Sequence, residues 1–142
     1  MTEIHERLAS DCIRLGRLHL SHVLLMNDSN YPWFILVPAR DDIREIYQLE
    51  VQDRAQLLDE SCALSEFIMD FYKGDKLNVA ALGNQVPQLH LHHIVRYTSD
   101  PAWPGPIWGK HAAQAYSPSA IDEIRTLLNR AGLSGYVPAA DA

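Results

Sequence analysis

Gln88-Leu89-His90-Leu91-His92-His93-Ile94-Val95-Arg96-Tyr97 is the stretch on which the reading of this chain turns. Apolar and β-branched residues behind a Gly83-Asn84-Gln85-Val86-Pro87 connector predict a strand. Strand side chains alternate between faces, so Gln88, His90, His92, Ile94 and Arg96 are expected on one side and Leu89, Leu91, His93, Val95 and Tyr97 on the other. The leucine face reads as the core face. The opposite face carries an amide and two imidazoles, each about 7 Å from the next on a rigid element. Such a row can bind a metal, grip a phosphate, or hold a nucleophile with its helpers. Histidine has modest strand propensity and is costly to bury unpaired, so two at this spacing point to chemistry rather than stability. His93 falls on the leucine face and reads as a satisfied, half-buried core histidine.

Working outward, Lys76–Leu82 (KLNVAAL) predicts the strand before this one. From Val51 to Tyr72, the positions Ala55, Leu58, Cys62, Leu64 or Ser65, Ile68, Met69 and Tyr72 keep a period near 3.6, with Gly74 as a stop, and predict a long helix. Leu20–Asp28 and Trp33–Arg40 flank the turn Ser29-Asn30-Tyr31-Pro32 and read as a hairpin. From Ile4 to Leu18, the residues Leu8, Cys12, Leu15 and Leu18 recur at helical spacing and predict a short amphipathic helix ending near Gly16, with His5 solvated on it. Thr98–Tyr116 holds Pro101, Pro104 and Pro106 with Trp103 and Trp108, an irregular loop whose tryptophans are expected to pack on the sheet or against a pocket. Behind Ser117-Pro118-Ser119 a last helix, Ala120–Ala131, runs to Gly132. Two hairpins around one long helix give an α+β fold with a mainly antiparallel sheet, a long covering helix and a C-terminal helix.

The 142 residues, 47% hydrophobic and 21% charged, fit one domain spanning 1–142, which buries roughly two thirds of its unfolded surface. A net charge of −6 gives no basic surplus for a nucleic-acid backbone, although a small anionic ligand can still be held by backbone amides and a few side chains. Cys12 and Cys62 stand far apart without a CxxC pair, which argues against a disulfide framework or a cysteine metal site. The acidic opening MTEIHERLASD does not suit a signal peptide, and no run approaches the roughly 18 apolar residues of a membrane span, so a soluble, cytoplasmic protein is expected.

Gln88-Leu89-His90-Leu91-His92-His93-Ile94 resembles the His-φ-His-φ-His-φ-φ motif, with φ apolar, of the histidine-triad (HIT) superfamily. LLMNDSNYPWFILVPAR (Leu24–Arg40) is similar to that family's nucleoside-binding hairpin, and GNQVPQLHLH (Gly83–His92) to its Gly-Gln-x-Val-x-His-x-His-x-His run. The resemblance covers roughly Leu24 to Arg96. DPAWPGPIWGK (Asp100–Lys110) is similar to a bacterial branch that carries Gln-x-His-x-His.

The resemblance implies a HIT-like fold and a nucleotide hydrolase or transferase. Its substrate would be a nucleoside phosphoramidate, a dinucleoside polyphosphate or a related nucleotidyl conjugate. His90 falls on the middle histidine, the nucleophile that forms a nucleotidyl-imidazole intermediate. His92 falls on the third histidine, which bonds phosphate oxygens or steadies the leaving group. Gln88 replaces the first histidine at the catalytic position; its amide can donate to a phosphate oxygen but cannot carry charge or pass on a proton. Asn84 falls where the family binds phosphate, and Asn27 where the hairpin touches the ribose. Asp41 after Pro38-Ala39-Arg40 and Phe34 are further departures from the family pattern. No redox cofactor or metal is implied, and a homodimer is.

Two other readings compete. One is a non-catalytic nucleotide-binding module. The other is a metal-dependent hydrolase with His90 and His92 as ligands and His111 or Asp100 as the third, a set without zinc-ligand spacing.

Overall fold

The computed structural model describes residues 2–140. In chain order it runs α1 (Glu6–Asp11), β1 (Cys12–Arg17), β2 (Ser21–Met26), β3 (Trp33–Pro38), a 3-10 turn (Ile46–Gln48), α2 (Val51–Tyr72), β4 (Lys76–Ala80), β5 (Leu91–Arg96), α3 (Pro118–Arg130) and β6 (Val137–Pro138). Among the described residues the strands form a six-stranded sheet, ordered β4-β5-β3-β2-β1-β6 and antiparallel at every pairing. This is the expected α+β architecture. Among the same residues no helix is long and apolar enough to cross a membrane.

β3 and β5 are buried along their whole lengths, which requires both faces of the sheet to be covered. On one face Leu25, Phe34, Leu36, Leu91 and Val95 pack with Leu57, Leu64 and Ile68 of α2 and Ile124 and Leu128 of α3. On the other, Leu24, Trp33, Ile35, Val37 and Ile94 pack with Leu8 of α1, Val86 of the connector, and Ala102 and Ile107 of the long loop. Each large apolar side chain so buried contributes about 1.5–3 kcal/mol. The second face is thus closed by three short segments rather than one helix, and a cavity remains where they meet.

α2 spans the expected residues, but its facing differs from the expectation. Leu57, Glu60, Ser61, Leu64 and Ile68 point inward, while Ala55, Leu58 and Cys62 are exposed. The inward polar residues have partners: Glu60 accepts from the backbone N–H groups of Leu20 and Ser21 at 2.8 and 3.0 Å, and Ser61 Oγ lies 2.7 Å from His93 Nε2. His93 is therefore on the core face as expected, but fully buried. Lys73 takes the left-handed conformation at the helix end. Gly74 serves close approach instead, since a Cβ there would meet the side chain of Val95.

The helix expected from Ile4 to Gly16 is a correction. Only Glu6–Asp11 is helical, with His5 as its cap, Nδ1 accepting from Arg7 N at 3.1 Å. Cys12–Arg17 is a strand paired with β2, because Leu15 joins the α2 core while Leu8 joins the other, which a single helical stripe could not do. Gly16 stops no helix: a Cβ there would meet Val137 O and the Tyr136 ring, where β6 crosses. The ladder of β5 begins only at Leu91, so Gln88 to His90 lie before the strand, with Leu89 N bonded to Ile43 O at 2.9 Å.

The Pro/Trp loop is fixed by one buried cation. Arg96, 1% exposed, donates to Asp100 at 2.7 and 3.0 Å, to Asn78 Oδ1 at 2.8 Å and to Gly105 O at 2.8 Å, with its guanidinium over the Tyr31 and Trp103 rings.

Candidate active site

The sheet delivers His92 from β5, and the residue just before that strand delivers His90, so that their rings meet edge to face with centroids 4.8 Å apart. They line a cavity of about 340 Å³. The connector supplies Asn84, Gln85 and Val86 to its wall, α1 supplies Arg7, Leu8 and Asp11, and Trp33 and Trp108 complete it. His92 sits within an aromatic cluster, 5.7 Å from Trp33 and 5.2 Å from Trp108 between ring centroids. Of the two loop tryptophans expected on the sheet or against a pocket, Trp108 lines this cavity, while Trp103 packs on Arg96.

The partners of the two imidazoles determine which nitrogen carries the proton. His90 Nδ1 lies 2.7 Å from the carbonyl oxygen of Gln88. A carbonyl only accepts, so Nδ1 carries hydrogen and Nε2 keeps its lone pair. The Nε1–H of Trp33 donates to His92 Nδ1 at 2.9 Å. An indole only donates, so His92 Nδ1 is bare and its Nε2 carries hydrogen. Two adjacent rings therefore hold opposite tautomers, one offering a lone pair and the other an N–H.

Both rings are buried, at 6% and 4% exposure. Burial lowers the pKa of His90, with His5 acting in the same direction and the bond to the Gln88 carbonyl opposing. Burial, with His90 and His93 nearby, pushes His92 down to about 3. Both imidazoles are neutral at pH 7, the form that a nucleophile and a non-ionised donor require.

Of the residues singled out from sequence, His90, His92 and Asn84 share the cavity. Asn27 lines an adjoining cavity of about 360 Å³ that shares Trp33 and Trp108 with the first, and its Oδ1 accepts from Tyr116 N at 2.9 Å. Gln88 does not line the histidine cavity. Its Oε1 accepts from His5 N at 2.8 Å and its Nε2 donates to Glu3 O at 2.9 Å, so the amide is engaged by the N-terminal segment. The proposed third metal ligands do not converge. Both oxygens of Asp100 are bonded by Arg96, His111 Nε2 lies 3.2 Å from Pro101 O, and among the described residues no group of three His, Cys, Asp or Glu could hold a metal ion. Sequence reasoning passed over Arg7 and the role of Trp33. The signal for Trp33 was available, since a buried indole N–H must find an acceptor.

Residues 7–99 match the family model described as the HIT domain. The fold is similar to the crystal structure of a histidine triad protein from Marinobacter aquaeolei, with 54% identity over 92% of this chain and 96% of that one and a TM-score of 0.90. It is similar to those from Bradyrhizobium japonicum, at 45% identity over 91% and 96% with a TM-score of 0.89, and from Sinorhizobium meliloti, at 38% over 91% and 96% with a TM-score of 0.89. No curated protein matches this chain.

Proposed function

This chain belongs to the HIT domain family, whose members are generally nucleotide hydrolases or transferases, and from that premise we propose that it cleaves a nucleotidyl conjugate through a covalent intermediate on His90. The observation that supports this reading is the pair of opposite tautomers, a free Nε2 lone pair on His90 beside an Nε2–H on His92 in one cavity.

In the first step the His90 lone pair forms a bond from Nε2 to the α-phosphorus. The bond from phosphorus to the nitrogen or oxygen of the leaving group breaks, and its electron pair departs with that group, which takes a proton from water. The positive charge gained by the ring is shared with the Gln88 carbonyl through Nδ1–H. The His92 N–H and the Asn84 amide donate to phosphate oxygens whose charge grows in the transition state. In the second step a water oxygen bonds to phosphorus and gives its proton to the hydroxide left by the first step, the Nε2–P bond breaks with its pair returning to His90, and a nucleoside monophosphate leaves. Trp33 and Trp108 offer aromatic faces to the base, with Asn27 in the adjoining cavity for the ribose. Substrates are nucleoside phosphoramidates, dinucleoside polyphosphates or related conjugates.

His90→Ala should lower kcat on the order of 10⁴-fold with the fold retained, and the intact enzyme quenched in turnover should carry a nucleotidyl mass on the peptide holding His90. Near-normal turnover in His90→Ala refutes the mechanism. Binding without turnover in the intact chain would establish the non-catalytic module.

A homodimer is part of the proposal. Val51, 72% exposed, and Leu58, 64% exposed, align with Ala55 and Cys62 as an uncovered apolar stripe on α2 that suits a second copy of this chain. Leu58→Glu should then yield monomers in light scattering. The free thiols of Cys12 and Cys62 fit a reducing compartment, and we place the protein in the cytoplasm.

A further inference from the structure

The side-chain amide of Gln88 is spent on the backbone of the two residues that flank Ile4, Glu3 and His5. It accepts from the His5 N–H and donates to the Glu3 carbonyl. This is the pattern by which one strand residue pairs with a parallel neighbour, here made by a side chain that carries the same group as a peptide. A carboxamide presents its C=O and N–H side by side, matching two backbone groups on one edge. The two nitrogens of an imidazole point away from each other and cannot make this pair.

The segment so fixed leads directly into α1, whose Arg7 and Asp11 line the cavity with His90 and His92. Among the described residues lining that cavity, Arg7 alone carries a permanent positive charge. Its ion pair with Asp11 is long, 3.9 Å, and both side chains are more than half exposed, so Arg7 is held loosely and can exchange partners. The backbone carbonyl of the same Gln88 orients the His90 ring. One residue thus sets the nucleophile with its main chain and the cation-bearing wall with its side chain.

We infer that Arg7 is a further substrate-binding residue that takes the phosphate of the nucleotide, and that Gln88 is a positioning residue acting through it. The inference rests on the nucleotide reading of this cavity. It assigns to the amide a role other than contact with phosphate, and it gives an N-terminal segment a part in recognition.

The test is binding of the four nucleoside 5′-monophosphates and the four matching nucleosides, followed by titration calorimetry on the intact chain. Arg7→Ala should weaken the tightest monophosphate by about tenfold, one charge-assisted hydrogen bond, and leave the matching nucleoside unchanged. Arg7→Lys should recover part of that loss, because the charge remains without the planar fork. Gln88→Ala should cause a similar loss, and the double variant should be no weaker than Arg7→Ala alone. Equal weakening of nucleoside and monophosphate by Arg7→Ala, or no weakening of either, overturns the role of Arg7. Additive losses in the double variant overturn the positioning role. If the unaltered chain binds no monophosphate, the nucleotide reading itself fails and this inference falls with it. Arg7 is exposed, so its variants fold whatever Gln88→Ala does.

Discussion

Acidification from pH 7 to pH 5 should unfold much of this protein's stability reserve, because its buried imidazoles must stay neutral. In the folded chain His92 is pushed down to about 3 by burial and by His90 and His93, and His93 to about 4 mainly by burial. An imidazole in the unfolded chain titrates at about 6.5. Both groups are lowered on folding, so the unfolded chain binds more protons between the two values, and stability rises with pH there. The stabilisation is fully present above about pH 6.5 and is lost as the pH falls through that window. Between pH 7 and pH 5 each site loses about 2 kcal/mol, or about 4 kcal/mol for the pair. The figure follows from the unfolded pKa, since both folded values lie a unit or more below pH 5. His22 and His90 are lowered as well, chiefly by burial, and add in the same direction. Typical domains have only about 5–15 kcal/mol in total. Urea unfolding at the two pH values measures the loss directly, provided the slope with denaturant is unchanged. His93→Gln should reduce the pH dependence by about 2 kcal/mol by removing one titrating group. A difference below about 1 kcal/mol between pH 7 and pH 5 would mean that the rings are protonated or solvated in the folded chain, and the tautomer argument for His90 and His92 would fail with it.

Turnover should show the same neutrality: the acid limb of kcat/KM has its midpoint below the ordinary imidazole value, since burial lowers His90 and its unprotonated form is the active one in the proposed mechanism. Trp33→Phe removes the donor that keeps His92 Nδ1 bare, so kcat should fall by about tenfold and the acid limb of the pH profile should move to higher pH, which steady-state kinetics across pH would reveal. Arg96→Ala leaves the buried carboxylate of Asp100 uncompensated and should lower stability by about 3–5 kcal/mol in calorimetric unfolding, with Trp108 released from the cavity.

The strand and helix boundaries most legible in the sequence are those set by local pattern. α2 is marked by length and period, and the β2–β3 hairpin by two apolar runs about a Ser/Asn/Pro turn. Facing is another matter. The inward side of α2 carries Glu60 and Ser61, whose partners lie 40, 39 and 32 positions away, so no local window shows that these polar residues are satisfied in the core. The apolar residues left outside then imitate a core stripe. β1 is lost for the same reason in reverse, because its strand state comes from pairing with β2 and β6 while its own spacing suits a helix.

The site divides along the same line. That His90 and His92 belong together follows from i,i+2 spacing alone, but what each can do depends on partners that no spacing shows. The donor to His92 stands 59 positions earlier, on a strand that meets β5 only through the sheet order. The acceptor for His90 is two residues away, yet it is a backbone carbonyl, which every sequence supplies and none advertises. Gln88 carries the point furthest. Read within its motif, it is an imidazole replaced by a weaker group at the same task. In the fold its amide pairs with backbone 83 and 85 positions away, so the change of residue type is a change of task, and the cavity wall that this pairing fixes is where compensation for the absent imidazole has to be sought.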